Sequence, residues 1–174
     1  MNAEFTTFPD PINAEHLVPQ SFYGSTSPMR SDIHNLRPSH QDANSARSYF
    51  DFGEVPDAQS TWYGTSSGGA YLTSGSEPTN SSNFSEGVEF LWEPQEDRKG
   101  DVARGLFYFY TNYPTQAGPI TDLASISSLY QWHLNDPTDA AEITRNARVE
   151  TAQGNRNPYV DYPNLVYDAW LWVQ

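Results

Sequence analysis

Residues 12–21 read I-N-A-E-H-L-V-P-Q-S, residues 31–39 read S-D-I-H-N-L-R-P-S and residues 44–49 read N-S-A-R-S-Y. Ile12 to Val18 has the length and apolar content of a short strand stopped by Pro19, and Gln20 to Arg30 follows as a Ser- and Gly-containing loop. Asp32 to Leu36 predicts a second short strand ended by Pro38. Ser39 then stands where a helix N-cap belongs, with Asp42 three residues on as a weak capping-box partner. The helix it opens is expected to run through about Arg47 and to carry Asn44 on its second turn.

The same unit holds a carboxylate (Glu15), two imidazoles (His16, His34), a carboxamide (Asn44) and three arginines (Arg30, Arg37, Arg47). Hydrolysis of a phosphodiester needs a base that takes a proton from water near neutral pH, which a histidine supplies. It also needs a cation to offset charge growing on phosphate and leaving group. Glu15 and Asn44 can each give one oxygen to such an ion, and two protein oxygens with water in the other positions is how Mg²⁺ is usually held. Adjacent strand residues point to opposite faces, so Glu15 and His16 share a site only at a strand end or bulge, and Pro19 provides one. Arg47, three residues beyond Asn44, lies on that residue's helix face; it suits either a phosphate contact or an ion pair holding the helix. His34 suits either a phosphate contact or a hydrogen bond within the fold. Asp32 reads as a structural acceptor, Arg37 and Arg30 as weaker phosphate candidates, and His40 and His133 as surface and core.

The 174 residues carry 22 acids against nine bases, a net charge of −13. Phosphate contacts normally need a basic surface, so a small basic cleft in an acidic body is expected. Eight of the nine bases are Arg, which grips phosphate bidentately, and only Lys99 is a Lys. Cysteine is absent, which excludes a disulfide, a thiolate–zinc site and a cysteine nucleophile. No run of about 18 apolar residues is present to form a membrane-spanning helix. Met1 to Pro11 is expected to be irregular and lacks the basic-then-apolar pattern of a signal peptide.

Downstream, the stretch of about residues 64–84 is low in complexity and reads mostly as loop able to wall a groove, with Thr61 to Tyr63 and Ala70 to Thr73 able to pair. Val88 to Trp92 is a further strand candidate. Helices are expected over Lys99 to Asn112, Leu123 to Leu134, from an Asp136-Pro137 start to Gln153 with Gly154 as its left-handed cap, and from Pro163 to Trp170. Trp132, Trp170 and Trp172 read as core. The class is α+β, one domain over residues 1–174: a ββα core of short strands and one helix, packed against a helical C-terminal half.

Five ordered stretches carry a family resemblance: N-A-E-H-L-V-P-Q-S-F, P-M-R-S-D-I-H-N-L-R-P-S, N-S-A-R-S, K-G-D-V-A-R and Q-G-N-R-N-P-Y-V-D. Together they resemble the bacterial endonuclease I family, secreted or periplasmic nucleases of the His-Me finger (ββα-metal) class. The resemblance implies that His16 is the general base and that Glu15 and Asn44 bind the divalent ion, typically Mg²⁺, with Mn²⁺ or Ca²⁺ as alternatives. It implies cleavage of DNA, or RNA, with little sequence preference, leaving 5′-phosphate ends, by a monomer without membrane attachment. Arg47, Arg37, His34 and Arg30 are its candidate substrate contacts. The family usually carries more chain before the first motif, and only eleven residues precede it here, as in a trimmed branch or a fragment. Two other classes compete: a non-catalytic secreted binding module in which an ion only ties strands to helix, and a carbohydrate-binding domain using exposed Tyr and Trp.

Overall fold

A computed structural model describes residues 12–172, so the expectation for residues 1–11 lies outside the described residues. The first unit is β1 (Ile12–His16), β2 (Leu36–His40) and α1 (Gln41–Arg47). β1 and β2 form a two-stranded antiparallel sheet in which Glu15 faces Arg37 and His16 faces Leu36.

The second strand thus begins where it was expected to end. Asp32 is responsible: its side chain accepts from the His34 backbone N–H at 3.0 Å and winds Ile33–Asn35 into a 3₁₀ turn. Pro38 lies inside β2 opposite Ala14. It is tolerated because both strands of a two-stranded sheet are edges, where a missing ladder donor is harmless. With Ser39 drawn into the strand, the cap of α1 is His40, whose Nδ1 accepts from the Asp42 N–H at 3.2 Å.

A five-stranded sheet follows, built from β3 (Asp51–Phe52), β4 (Thr61–Thr65), β5 (Tyr71–Ser74), β6 (Phe84–Val88) and β7 (Leu91–Glu93) in the order β3-β7-β6-β4-β5. All neighbours are antiparallel except β3 with β7. The Gly/Ser-rich stretch is therefore more regular than its composition suggests. Small residues carry little alternating signal, yet they permit tight strand approach: a Cβ on Gly64 would run into the Asn83 carbonyl and Phe84. The expected Val88 to Trp92 strand is instead the end of β6 and the start of β7, with a tight turn between them at Glu89 and Phe90, the latter at φ 68°.

The helical half is α2 (Lys99–Asn112), α3 (Ile126–Asn135), α4 (Ala140–Gln153), α5 (Pro158–Asp161) and α6 (Leu165–Trp170). α2 is buried continuously from Val102 to Tyr110, a run whose one charged residue is Arg104, as befits a central helix. The next two helices start later than expected because other residues cap them. Ser125 caps α3, and Asp139 caps α4 by accepting from the Glu142 N–H at 2.7 Å. Asp136 instead accepts from the Gly100 N–H at 2.8 Å in the first turn of α2. α4 ends on Gly154 at φ 87°, as expected. α6 starts just past Pro163 and ends at Trp170 as expected, and an unforeseen short helix, α5, precedes it, capped by Asn157 with Pro158 at its first position. Trp132 is core, whereas Trp172 is 71 % exposed. No helix among the described residues is long and apolar enough to cross a membrane.

Candidate active site

His16 is the last residue of β1, where the chain turns into Leu17-Val18-Pro19, and it borders the same hollow as its neighbour Glu15. Glu15, His16 and Asn44 border one open hollow of about 330 Å³ between the end of β1, the Pro19–Ser21 turn and α1. The two strands and the helix that follow one another in sequence thus bring all three groups to one place.

The His16 ring is oriented by its partners. Nε2 lies 2.9 Å from the Arg30 carbonyl oxygen. A carbonyl can only accept, so Nε2 carries the proton and the neutral ring keeps its lone pair on Nδ1. The Gln20 amide approaches Nδ1 at 3.5 Å. Burial holds the His16 pKa below the ordinary 6.5; the Arg30 carbonyl opposes this, and the Arg30 and Arg47 charges add to it. The ring is therefore neutral at pH 7, the form a base requires.

Glu15 is tied to α1. Its Oε1 accepts from Arg47 Nη1 at 2.6 Å, leaving Oε2 for another partner. Burial raises its pKa and the Arg47 charge opposes that. Asn44, half-buried on the second turn of α1, has no side-chain hydrogen bond among the described residues, so its amide oxygen can accept a further partner. One carboxylate oxygen and one amide oxygen suit a hard cation that keeps most of its water, as Mg²⁺ does. No group of three or more His, Cys, Asp or Glu able to hold a metal ion occurs among the described residues.

The four expected substrate contacts divide. Arg47 is 2 % exposed and turned inward: besides Glu15 it donates to the carbonyls of His16 (2.9 Å) and Leu17 (2.7 Å), and its guanidinium lies over the Phe52 ring. It is the ion pair holding the helix, the alternative weighed from sequence, rather than a group facing outward to phosphate. His34 is 2 % exposed, packed on Tyr108 with Nε2 3.3 Å from the Asn155 carbonyl, and does not border the His16 hollow. Its hydrogen bond joins the turn before β2 to the end of α4. Arg37 donates to the His34, Leu36 and Asp101 carbonyls, and burial with the neighbouring Arg145 charge lowers its pKa to about 10. Arg30 is exposed beside His16 and is the most accessible of the four.

The remaining motif residues build the frame. Arg104, fully buried, pairs with Glu142 at 2.7 Å. Arg156 grips Asp161 through two nitrogens at 2.6 and 2.7 Å, closing the turn into α5. Asp32 accepts from the hydroxyls of Tyr108 and Tyr113 and from Gln153, tying the turn before β2 to α2 and α4. Sequence reasoning missed Arg98, Arg145 and Tyr71, which with His40 line a second cavity beside the first. None stands in a motif stretch quoted above, and only the expectation of a basic cleft pointed toward them.

The sequence model of the family described as Endonuclease I matches residues 4–164. The chain belongs to the endonuclease I family. Among curated relatives of this endonuclease I chain, an extracellular ribonuclease of Bacillus amyloliquefaciens is 32 % identical over 91 % of the chain and 53 % of its own length. An extracellular ribonuclease of Bacillus subtilis (strain 168) is 33 % identical over 91 % of the chain and 54 % of its own length. An extracellular deoxyribonuclease of Aeromonas hydrophila is 27 % identical over 76 % of the chain and 50 % of its own length. The chain thus spans about half the length of the curated relatives it matches.

Proposed function

We infer that this chain is a metal-dependent, largely sequence-non-specific endonuclease that hydrolyses phosphodiester bonds of DNA or RNA to 5′-phosphate products. On this reading β1, β2 and α1 form a His-Me finger, and the protein acts as a secreted or periplasmic monomer. The observation that carries it is the meeting of Glu15, His16 and Asn44 at one open hollow, with the His16 lone pair on Nδ1. The relatives' printed names, ribonuclease and deoxyribonuclease, support nucleic acid as the substrate class.

His16 Nδ1 takes the proton from the attacking water, while the Arg30 carbonyl holds Nε2–H and steadies the imidazolium that results. Glu15 and Asn44 are the residues that would hold a divalent ion, Mg²⁺ with Mn²⁺ or Ca²⁺ as alternatives. When bound, that ion offsets charge on the phosphate and the leaving oxygen. Arg47 is a positioning residue: it fixes the Glu15 carboxylate and the backbone around His16 together. Arg30 is the exposed cation placed to meet a phosphate, and Arg37 orients β2 against α2.

Plasmid cleavage with Mg²⁺ and with EDTA tests the reading. Cleavage that stops in EDTA and returns on adding the ion, with the melting temperature nearly unchanged, is the expected result. Unfolding in EDTA, with no cleavage before or after, would instead favour a binding module in which the ion only ties strands to helix.

A further inference from the structure

A second and larger cavity, about 480 Å³, lies between the finger unit, the five-stranded sheet and the starts of α2 and α4. It shares Glu15, Asn44 and Arg47 with the hollow at His16, so the two adjoin across α1. Its charge runs against that of the chain. Four arginines (Arg37, Arg47, Arg98, Arg145) and three acids (Glu15, Asp101, Glu142) line it, in a protein of net charge −13. Glu15 and Glu142 are already matched by Arg47 and Arg104. Among the described residues, Arg98 has a half-exposed side chain and only long pairings with Asp97 (3.6 Å) and Asp101 (3.7 Å), and the buried Arg37 Nε has no hydrogen-bond partner.

The opposite wall is aromatic. β4–β5 register pairs Thr65 with Tyr71 and Tyr63 with Thr73, and β4–β6 register pairs Tyr63 with Ser85. Tyr63, Tyr71 and Ser85 therefore project from one sheet face, and all three border the cavity. The Tyr71 ring is stacked on His40 with centroids 3.4 Å apart, and Tyr63 rests on Trp92 at 5.1 Å. Each tyrosine is thus held by one neighbour and remains half-buried. Aromatic rings beside a positive groove are how proteins hold unpaired nucleic acid, with bases stacking on the rings and phosphates on the cations.

We propose that this cavity takes an unpaired nucleobase of the strand being cut, stacked on the Tyr63–Tyr71 wall with an adjacent phosphate on Arg98. Single-stranded nucleic acid is then the preferred substrate over a duplex. The inference rests on the His16 hollow holding the scissile phosphate. A paired base would first have to leave its stack, which costs a few kcal/mol.

The test uses the wild-type protein in EDTA with oligonucleotides carrying 2-aminopurine at successive positions, so that stacking is read without cleavage. Quenching at one or two positions and tighter binding of single strand than of duplex are expected. Tyr71→Phe should bind like wild type, and Tyr71→Ala should raise the single-strand Kd about 5- to 150-fold. Arg98→Gln should weaken binding and flatten its salt dependence by about one phosphate contact. No quenched position, equal affinity for both forms, or wild-type binding by Arg98→Gln would each overturn the proposal. These readouts stand without Tyr71→Ala should that variant not fold. A protein that quenches but never cuts would remove the catalytic reading alone, and one that cuts without quenching would remove this inference alone.

Discussion

Arg47→Ala separates a buried strut from a phosphate contact. In the folded protein Arg47 holds the Glu15 carboxylate at 2.6 Å and the His16 and Leu17 carbonyls at 2.9 and 2.7 Å, with 2 % of its surface exposed. Removing one partner of a buried ion pair strands the other charge and costs about 3–5 kcal/mol. Each carbonyl left dry adds about 1–3 kcal/mol. Those losses are a large share of the roughly 5–15 kcal/mol available to a domain of this kind. In a chain of this size about 3–5 kcal/mol corresponds to a fall of roughly 6–20 °C in Tm. Guanidinium titration followed by tryptophan fluorescence measures it. Adding Glu15→Gln to Arg47→Ala removes the stranded charge and should recover about 1–3 kcal/mol, a coupling visible in the double-mutant cycle. An Arg47→Ala variant within 1 kcal/mol of wild type, yet with weaker and less salt-dependent nucleic-acid binding, would refute the reasoning and return Arg47 to the substrate.

Three further outcomes follow from the frame. Gly100→Ala drives a Cβ into the Asp136 carbonyl, so a stability loss of about 1–3 kcal/mol or more is expected in chemical denaturation. Asp32→Asn replaces a four-way acceptor of His34 N–H, Tyr108, Tyr113 and Gln153 with an amide that also donates; a loss of about 2–4 kcal/mol is expected, without change in the pH dependence of cleavage. Hydrogen bonds from Arg156 hold the Asp161 carboxyl below its ordinary 3.8, so on acidification the unfolded chain takes up that proton first. The stabilisation is full above pH 3.8 and is lost as pH falls through the folded value; Asp161→Asn should remove that part of the acid limb in denaturation curves measured at successive pH values.

The candidate site was legible in sequence to the extent that its groups are close along the chain. Glu15, His16 and Asn44 lie within thirty residues, and one strand pair with its helix suffices to gather them. The long central helix was legible because Val102 to Tyr110 is apolar enough to need burial whatever surrounds it. What failed were choices between equivalent local signals. Asp136 and Asp139 are both good caps, and only tertiary contact with Gly100 shows which is used elsewhere. Pro38 reads as a strand stop until β2 is known to be an edge. His34 and Arg47 carry the chemistry of a phosphate site, and the long-range partners Asn155 and Glu15 turn them inward. The second cavity was legible only as an expected basic cleft, because its lining comes from the β1–β2–α1 unit, the sheet and two helices distant in sequence.

Nicking of supercoiled plasmid by His16→Ala in Mg²⁺, beside a thermal melt of the same variant, tests the central claim most directly. Among the described residues the ring's hydrogen-bond partners are the Arg30 carbonyl and the Gln20 amide alone, so the melt should stay close to wild type while the rate falls about 10²- to 10⁴-fold. A variant that folds and nicks at the wild-type rate would contradict His16 as the base.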